Sequence, residues 1–224
     1  MRLLRPARQT TYERVFGTVY VALMTNVLLA LSCAPLLVTL ALVRDPLASW
    51  PFFAVLSLLC APALAGAFRC FAALGEGSTA VLPAFWSGYR QAGRALAVWA
   101  AAGTAVTVLI VDAAVVAGTS WGPALVPFFV TAALFVIALG MALLVLVAEP
   151  DPEPRPLRAL IRPVLWLVAR RWYLALLNVA VLGLAVNVIL AKPVPGLLLA
   201  CAPLLYVVWS TTRYVVEPLT FAGR

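Results

Sequence analysis

The sequence predicts an all-α protein: a polytopic membrane helical bundle of six transmembrane helices, forming one domain over residues 1–224. Two observations predict this fold. Hydrophobic residues make up 65% of the chain and charged residues only 11%, so a water-soluble fold would expose large apolar patches. Basic residues recur after every second apolar run, which is the alternation that the positive-inside bias produces in membrane proteins.

The first three predicted spans cover residues 15–43, 51–71 and 95–117. Each is long enough, because a membrane-spanning helix needs about 20 apolar residues. An Arg-Asp-Pro sequence at 44–46 separates the first two spans, and a glycine-rich stretch at 75–78 follows the second. The first run is too long for the apolar region of a signal peptide, so we expect it to remain in the protein as a span.

The last three predicted spans cover residues 124–148, 172–191 and 194–216. The proline-rich stretch at 149–154 cannot continue a helix, because proline lacks the backbone donor and clashes with the preceding turn. Merging or splitting any pair of spans would disturb the alternation of charge. The charge pattern therefore supports six spans.

The basic residues also predict the orientation of the chain. Those on one predicted side are Arg2, Arg5, Arg8, Arg14, Arg69, Arg90, Arg94, Arg155, Arg158, Arg162, Arg170, Arg171, Arg213 and Arg224. Arg44 and Lys192 fall on the other side. An even number of spans with this asymmetry places both termini in the cytoplasm. Because the arginines are dispersed among loops that flank the membrane, we expect anionic lipid headgroups rather than nucleic acid as their partners.

Two segments on the arginine-rich side predict short amphipathic helices in the inner headgroup layer. In the first, the apolar positions at helical spacing are Leu82, Phe85, Trp86 and Tyr89, and Ser78 or Thr79 is available as N-cap. In the second, they are Leu157, Leu160, Ile161, Val164 and Leu165.

These two helices are the largest predicted cytoplasmic surfaces and form a candidate interaction surface. Its residues are Phe85, Trp86, Tyr89, Arg90, Arg158 and Arg162. The alternative, purely structural interpretation of the aromatic residues is that they anchor the helix at the membrane interface.

Asp112, Asn26 and Asn187 are the candidate polar residues of a site within the membrane. Asp112 is the acidic residue inside an apolar run, and ionisable groups in spans often mark ion or substrate paths. Counted from Arg94 at 1.5 Å per residue, it lies about 27 Å along span three, near the outer boundary. Amides in spans usually join helices by hydrogen bonds. Asn187 lies in the outer half of span five, at a depth that would let it reach Asp112.

The sequence Cys-Ala-Pro occurs three times, beginning at Cys33, Cys60 and Cys201. Without histidine or a Cys-x-x-Cys pair, these cysteines predict buried packing rather than a zinc site. Proline within a span permits a kink and frees a carbonyl. Packing kinks and the discontinuous helices of a transport site are both open interpretations.

Catalytic sequence signatures are missing, including the phosphate-binding loop, the nucleophile elbow and the zinc-protease helix motif. With no histidine to act as general base, we expect the protein not to be an enzyme and to need no cofactor or metal.

Several motifs resemble the YesL-like family of uncharacterised bacterial integral membrane proteins. Asn26 followed by Leu-Ser-Cys-Ala-Pro at 31–35 resembles the first span of that family, and residues 61–68 resemble its second span. Phe-Trp-Ser-Gly-Tyr-Arg at 85–90 is similar to its elbow motif, and Asp112 occupies the place of an acidic residue in its third span. The second half of the chain matches only in layout. The resemblance implies a multi-pass protein of the bacterial cytoplasmic (inner) membrane.

Members of that family are often encoded beside ABC-type carbohydrate uptake systems. The resemblance therefore implies an accessory or regulatory role in sugar import, with transporter subunits as partners. The alternative is an autonomous small-solute carrier or channel acting as an oligomer, with Asp112, the asparagines and the kinked spans lining a path. A membrane enzyme is the least favoured interpretation.

Overall fold

The computed structural model describes residues 6–43, 48–149, 155–192 and 195–221. Every regular element within those ranges is helical, which confirms the predicted all-α class. The helices are α1 (Pro6–Ser32), α2 (Ala34–Leu42), α3 (Trp50–Ser57), α4 (Cys60–Gly75), α5 (Val81–Tyr89), α6 (Ala92–Ala117), α7 (Gly122–Ala148), α8 (Leu157–Arg170), α9 (Trp172–Ala191) and α10 (Cys201–Phe221). A π-helical turn at Gly196–Ala200 directly precedes α10.

In the described part of the chain, five helical stretches are long and apolar enough to cross a membrane: Val15–Ser32 of α1, all of α6, α7 and α9, and Gly196–Leu219. The count rises to six if α3 and α4, which are bent by 43° at their junction, form one broken span. The predicted count of six corresponds to this upper value.

The first predicted span, 15–43, is interrupted rather than continuous. Helix α1 ends at Ser32, and Cys33 leaves the helical region with φ −95° and ψ 9° before α2 begins. Pro35 is the physical reason, because it has no backbone N–H to donate to the carbonyl of Leu31. The predicted span therefore consists of two helices with a kink between them.

The second predicted span, 51–71, is also interrupted. The Leu58 and Leu59 N–H groups donate to the Val55 and Leu56 carbonyls, both at 3.1 Å, which is the tighter 3₁₀ spacing. Pro62 cannot donate to the Leu58 carbonyl, so the regular ladder resumes only in α4. Helix α4 also continues past the predicted end to Gly75, and Gly77 with φ +84° closes it.

The remaining spans match the predicted ranges to within a few residues. Helix α9 covers 172–191 as predicted, while α6 and α7 begin earlier, at Ala92 and Gly122. The predicted sixth span, 194–216, contains the π-helical turn, and α10 continues past the predicted end to Phe221. The predicted separators at 44–46 and 150–154 lie outside the described residues, as do Arg2, Arg5 and Arg224.

The core lies toward one end of the bundle, which we name the arginine-rich end. It contains the C-terminal ends of α4, α7 and α10 and the N-terminal ends of α6 and α9. There, residues 140–145 of α7 are all buried, while Ile110, Val115 and Phe128 toward the opposite end are more than half exposed. A further part of the core lies around the starts of α4 and α10, where Ala61 and Ala202 are buried. The packing is therefore loosest at the C-terminal end of α6 and the N-terminal end of α7.

Candidate functional site

Asn26 is fully buried in α1 and joins that helix to the π-helical turn. Its Nδ2 atom donates to the Leu198 carbonyl at 2.8 Å, and its Oδ1 atom accepts from the Ala202 N–H at 2.7 Å. In a regular α-helix the Ala202 N–H would donate directly to the Leu198 carbonyl. The amide of Asn26 therefore stands between the two partners of one helical hydrogen bond.

The three Cys-Ala-Pro sequences meet at this place. Cys33 occupies the break between α1 and α2, while Cys60 and Cys201 begin α4 and α10. Helix α1 packs on α4 and on the π-helical turn that precedes α10, and the three cysteines at these helix ends are close enough to interact with one another. We name Asn26 and these three cysteines the Cys-Ala-Pro junction. It brings three interruptions of the helices together in space.

The cysteines of the junction are all free. Cys33 and Cys201 are buried, whereas Cys60 is partly exposed. No group of three or more His, Cys, Asp or Glu residues in the described ranges is arranged to hold a metal ion. The junction therefore consists of two buried thiols, one partly exposed thiol and one buried amide.

The structure does not bring the predicted polar residues together. Asp112 is exposed on α6. Asn187 is exposed on α9, where its Nδ2 atom donates to the Gly183 carbonyl of the same helix at 3.4 Å. No hydrogen bond joins Asn187 to Asp112, both of which lie in described segments. Of the three predicted residues, Asn26 is the one that links separate helices.

Asn178 makes a second buried polar link, between α9 and α10. Its Nδ2 atom donates to the Thr212 hydroxyl at 2.9 Å, and its Oδ1 atom accepts from the Thr211 hydroxyl. This is the interhelical role expected of amides in spans.

Helix α5 packs on α4 and buries one face in that contact. Its buried residues are Val81, Phe85 and Gly88, while Leu82 and Trp86 are more than half exposed. Its N-cap is Ala80 and has no capping side chain, so the predicted cap at Ser78 or Thr79 is wrong. The buried face packs on α4 through glycine.

Gly66 of α4 and Gly88 of α5 form this crossing. A Cβ atom added at Gly88 would lie 2.6 Å from the Ala65 carbonyl oxygen and 2.9 Å from the Cα atom of Gly66. A Cβ atom at Gly66 would lie 2.9 Å from the Phe85 ring. Only residues without a side chain permit so close an approach. The sequence contains both glycines, but nothing in it predicts that they lie against each other.

The exposed Trp86 stacks on Tyr89, which is half-buried against the core. The rings of Trp86 and Tyr89 lie parallel, with centroids 5.5 Å apart and an interplanar angle of 2°. The next residue, Arg90, is exposed. Of the predicted surface residues on α5, Phe85 alone is buried.

Helix α8 packs on α7 and exposes its arginines. Val164, Leu167 and Val168 are buried, whereas Arg158 and Arg162 are exposed. Ile161 and Leu165, which the sequence predicts on the apolar face, are 43% and 42% exposed. These two side chains lie beside the residues that α8 buries within the protein.

Polar links that the sequence did not reveal hold the arginine-rich end together. Arg213 of α10 lies 3.4 Å from Glu149, at the end of α7. The Arg171 guanidinium donates to the Tyr214 carbonyl at 2.6 Å and stacks over the Tyr214 ring at 4.4 Å. Arg94 donates to the carbonyl of Arg155 at 2.8 Å. Several arginines thus serve as helix connectors.

A cavity of about 240 Å³ lies between α7 and α9. Its lining residues are Thr131, Leu134, Phe135, Trp172, Ala175 and Leu176. It is apolar and lies between predicted spans four and five, whereas the carrier hypothesis requires a path between spans one, three and five.

Comparisons with models of protein families, with curated proteins and with solved structures found no match. The resemblance to the YesL-like family therefore stays a prediction that depends on the motifs quoted above.

Proposed function

We propose that this protein is a non-enzymatic integral membrane protein that serves as an accessory or regulatory component of ABC-type carbohydrate uptake in the bacterial cytoplasmic membrane. The observation that carries the proposal is the set of exposed aromatic and basic side chains on or next to α5 and α8, which we name the elbow surface. It consists of the exposed Trp86, Arg90, Arg158 and Arg162 and of the half-buried Tyr89, whose ring stacks on Trp86.

The elbow surface has the character of a docking surface. Tryptophan, tyrosine and arginine are the residues most enriched among those that carry binding energy at protein interfaces. The packing of Phe85 and Gly88 on α4, and of Val164 on α7, holds both helices in place. A surface fixed before binding loses less conformational entropy when a partner docks.

The nature of the partner follows from the family resemblance and the predicted orientation. The positive-inside bias assigns the arginine-rich end to the cytoplasm. Sugar transporter subunits are the partners that the resemblance implies, and the lipid bilayer covers the remaining apolar surface.

Affinity purification from detergent-solubilised membranes tests this proposal. We expect the wild-type protein to recover sugar transporter subunits, and the triple variant Trp86→Ala, Arg158→Gln, Arg162→Gln to recover several-fold less. The matched control is Trp121→Ala with Lys192→Gln, because Trp121 is 74% exposed and both residues lie at the opposite end. Recovery of no transporter subunit, together with unchanged sugar uptake in a deletion strain, would contradict the proposal.

The second candidate is an autonomous carrier or channel. The convergence of interrupted helices at the Cys-Ala-Pro junction favours it, since discontinuous helices build substrate sites in many transporters. Solute flux through the purified protein in liposomes would favour this function over the accessory role.

A further inference from the structure

We propose that Cys33 and Cys60 form a reversible disulfide site, which staples the base of the helical hairpin α2–α3. The inference begins from where the two cysteines stand in the chain. Cys33 lies immediately before α2, and Cys60 follows the break after α3. Helix α1 packs on α4 and α2 packs on α3, so the two breaks lie side by side and bring Cys33 and Cys60 close together. A bond between them would close the hairpin at its two hinge points.

The hairpin between these cysteines is weakly attached to the rest of the protein. Neither α2 nor α3 contains a buried residue. A side-chain link to the bundle is the hydrogen bond from Trp99 Nε1 to the Ser57 hydroxyl at 3.1 Å. Segments with few buried contacts open at low cost in free energy. A covalent link at the base would therefore restrict this hairpin more than it would restrict a buried helix.

The position of the pair along the spans makes it reachable from the opposite end. From Arg14 to Ser32 the helix α1 rises about 27 Å, close to the hydrocarbon thickness of about 30 Å. Cys33 thus lies near the far boundary of the membrane if Arg14 marks the near one. The positive-inside bias assigns that boundary to the outer, more oxidising compartment. Cys60 is partly exposed and is the thiol that an oxidant meets first.

The reaction is a thiol–disulfide exchange with a disulfide-bearing oxidant, either a small molecule or an exported oxidoreductase. The thiolate of Cys60 attacks one sulfur of the oxidant, and the other sulfur leaves as a thiolate. The thiolate of Cys33 then attacks the Cys60 sulfur of the mixed disulfide and releases the second oxidant sulfur. Two thiols of the protein lose two electrons and two protons, and the oxidant is reduced to two thiols.

Mass spectrometry of the full-length protein in lipid nanodiscs tests the site, with oxidised glutathione as the probe. After incubation, remaining thiols are alkylated and the protein is digested. We expect a linked peptide joining Cys33 to Cys60, which is lost in Cys60→Ser and retained in Cys70→Ser. Cys70 is the matched control because it is buried and donates to the Val81 carbonyl. Hydrogen exchange in α2 and α3 should slow several-fold on oxidation and recover with dithiothreitol, while exchange in α6 should not change.

Two results would overturn the proposal. One is a dominant linkage through Cys201 in place of the pair. The other is full alkylation of both Cys33 and Cys60 after treatment, under conditions in which the same oxidant links cysteines of the detergent-unfolded protein.

Discussion

A methyl group added at Gly88 is expected to destabilise the protein by about 2 kcal/mol, within the range of about 1–3 kcal/mol typical of overpacking. The Cβ atom of Gly88→Ala would lie 2.6 Å from the Ala65 carbonyl oxygen, and that backbone cannot move without separating α5 from α4. Separation would expose Val81 and Phe85, which are 4% accessible. The measurement is the free energy of unfolding of the purified protein in micelles.

Gly93→Ala and Gly103→Ala are the matched controls for this variant. Both glycines lie in α6, and a Cβ atom at either would meet nothing within 4 Å. Because alanine is the better helix former by about 1 kcal/mol, these changes should leave stability equal or increased. Equal stability of Gly88→Ala and the controls would contradict the glycine crossing of α4 and α5.

The variant Asn26→Leu is expected to lose about 1–3 kcal/mol of stability. Interhelical hydrogen bonds in membrane proteins contribute about 0.6 kcal/mol on average and up to about 1.7 kcal/mol each, and Asn26 makes two. The change also leaves the Leu198 carbonyl and the Ala202 N–H without their partner. Unfolding measurements, together with hydrogen exchange at the Ala202 amide, report both effects.

Asn187→Leu provides the comparison, because Asn187 is exposed and bonds only within its own helix. We expect it to change stability by less than about 0.5 kcal/mol. If Asn26→Leu were as stable as the wild type, with the Ala202 amide still protected from exchange, the Ala202 N–H would be able to donate to the Leu198 carbonyl without Asn26. The amide would then have no structural role in the junction.

The sequence was sufficient to predict the helical class and most of the helix bounds. Apolar length and charge alternation depend on the sequence alone, and α6, α7 and α9 match them closely. The prolines at 35 and 62 predict a disturbance of the helix, but the local sequence does not decide between a kink and a complete break. Packing in three dimensions decides it, as at Cys33.

The candidate site was less predictable, because its contacts join distant parts of the chain. The partners of Asn26 lie more than 170 residues away, and nothing in the local sequence pairs them. The face of α5 was ambiguous, since Val81, Phe85 and Gly88 recur at helical spacing as regularly as the predicted set. Glycine size, rather than hydrophobicity, determined which face is buried.

The claim on which the rest depends is the orientation of the chain, because docking at the elbow surface requires the arginine-rich end in the cytoplasm and the disulfide site requires the junction near the outside. Single cysteines introduced at Ser87, on α5, and at Thr119, between α6 and α7, test it most directly. Both positions are exposed, and the parent protein gives the background from native cysteines. With a membrane-impermeant maleimide and intact cells, we expect labelling of Thr119→Cys, and labelling of Ser87→Cys only after permeabilisation. Labelling of Ser87→Cys in intact cells with protection of Thr119→Cys would contradict the account.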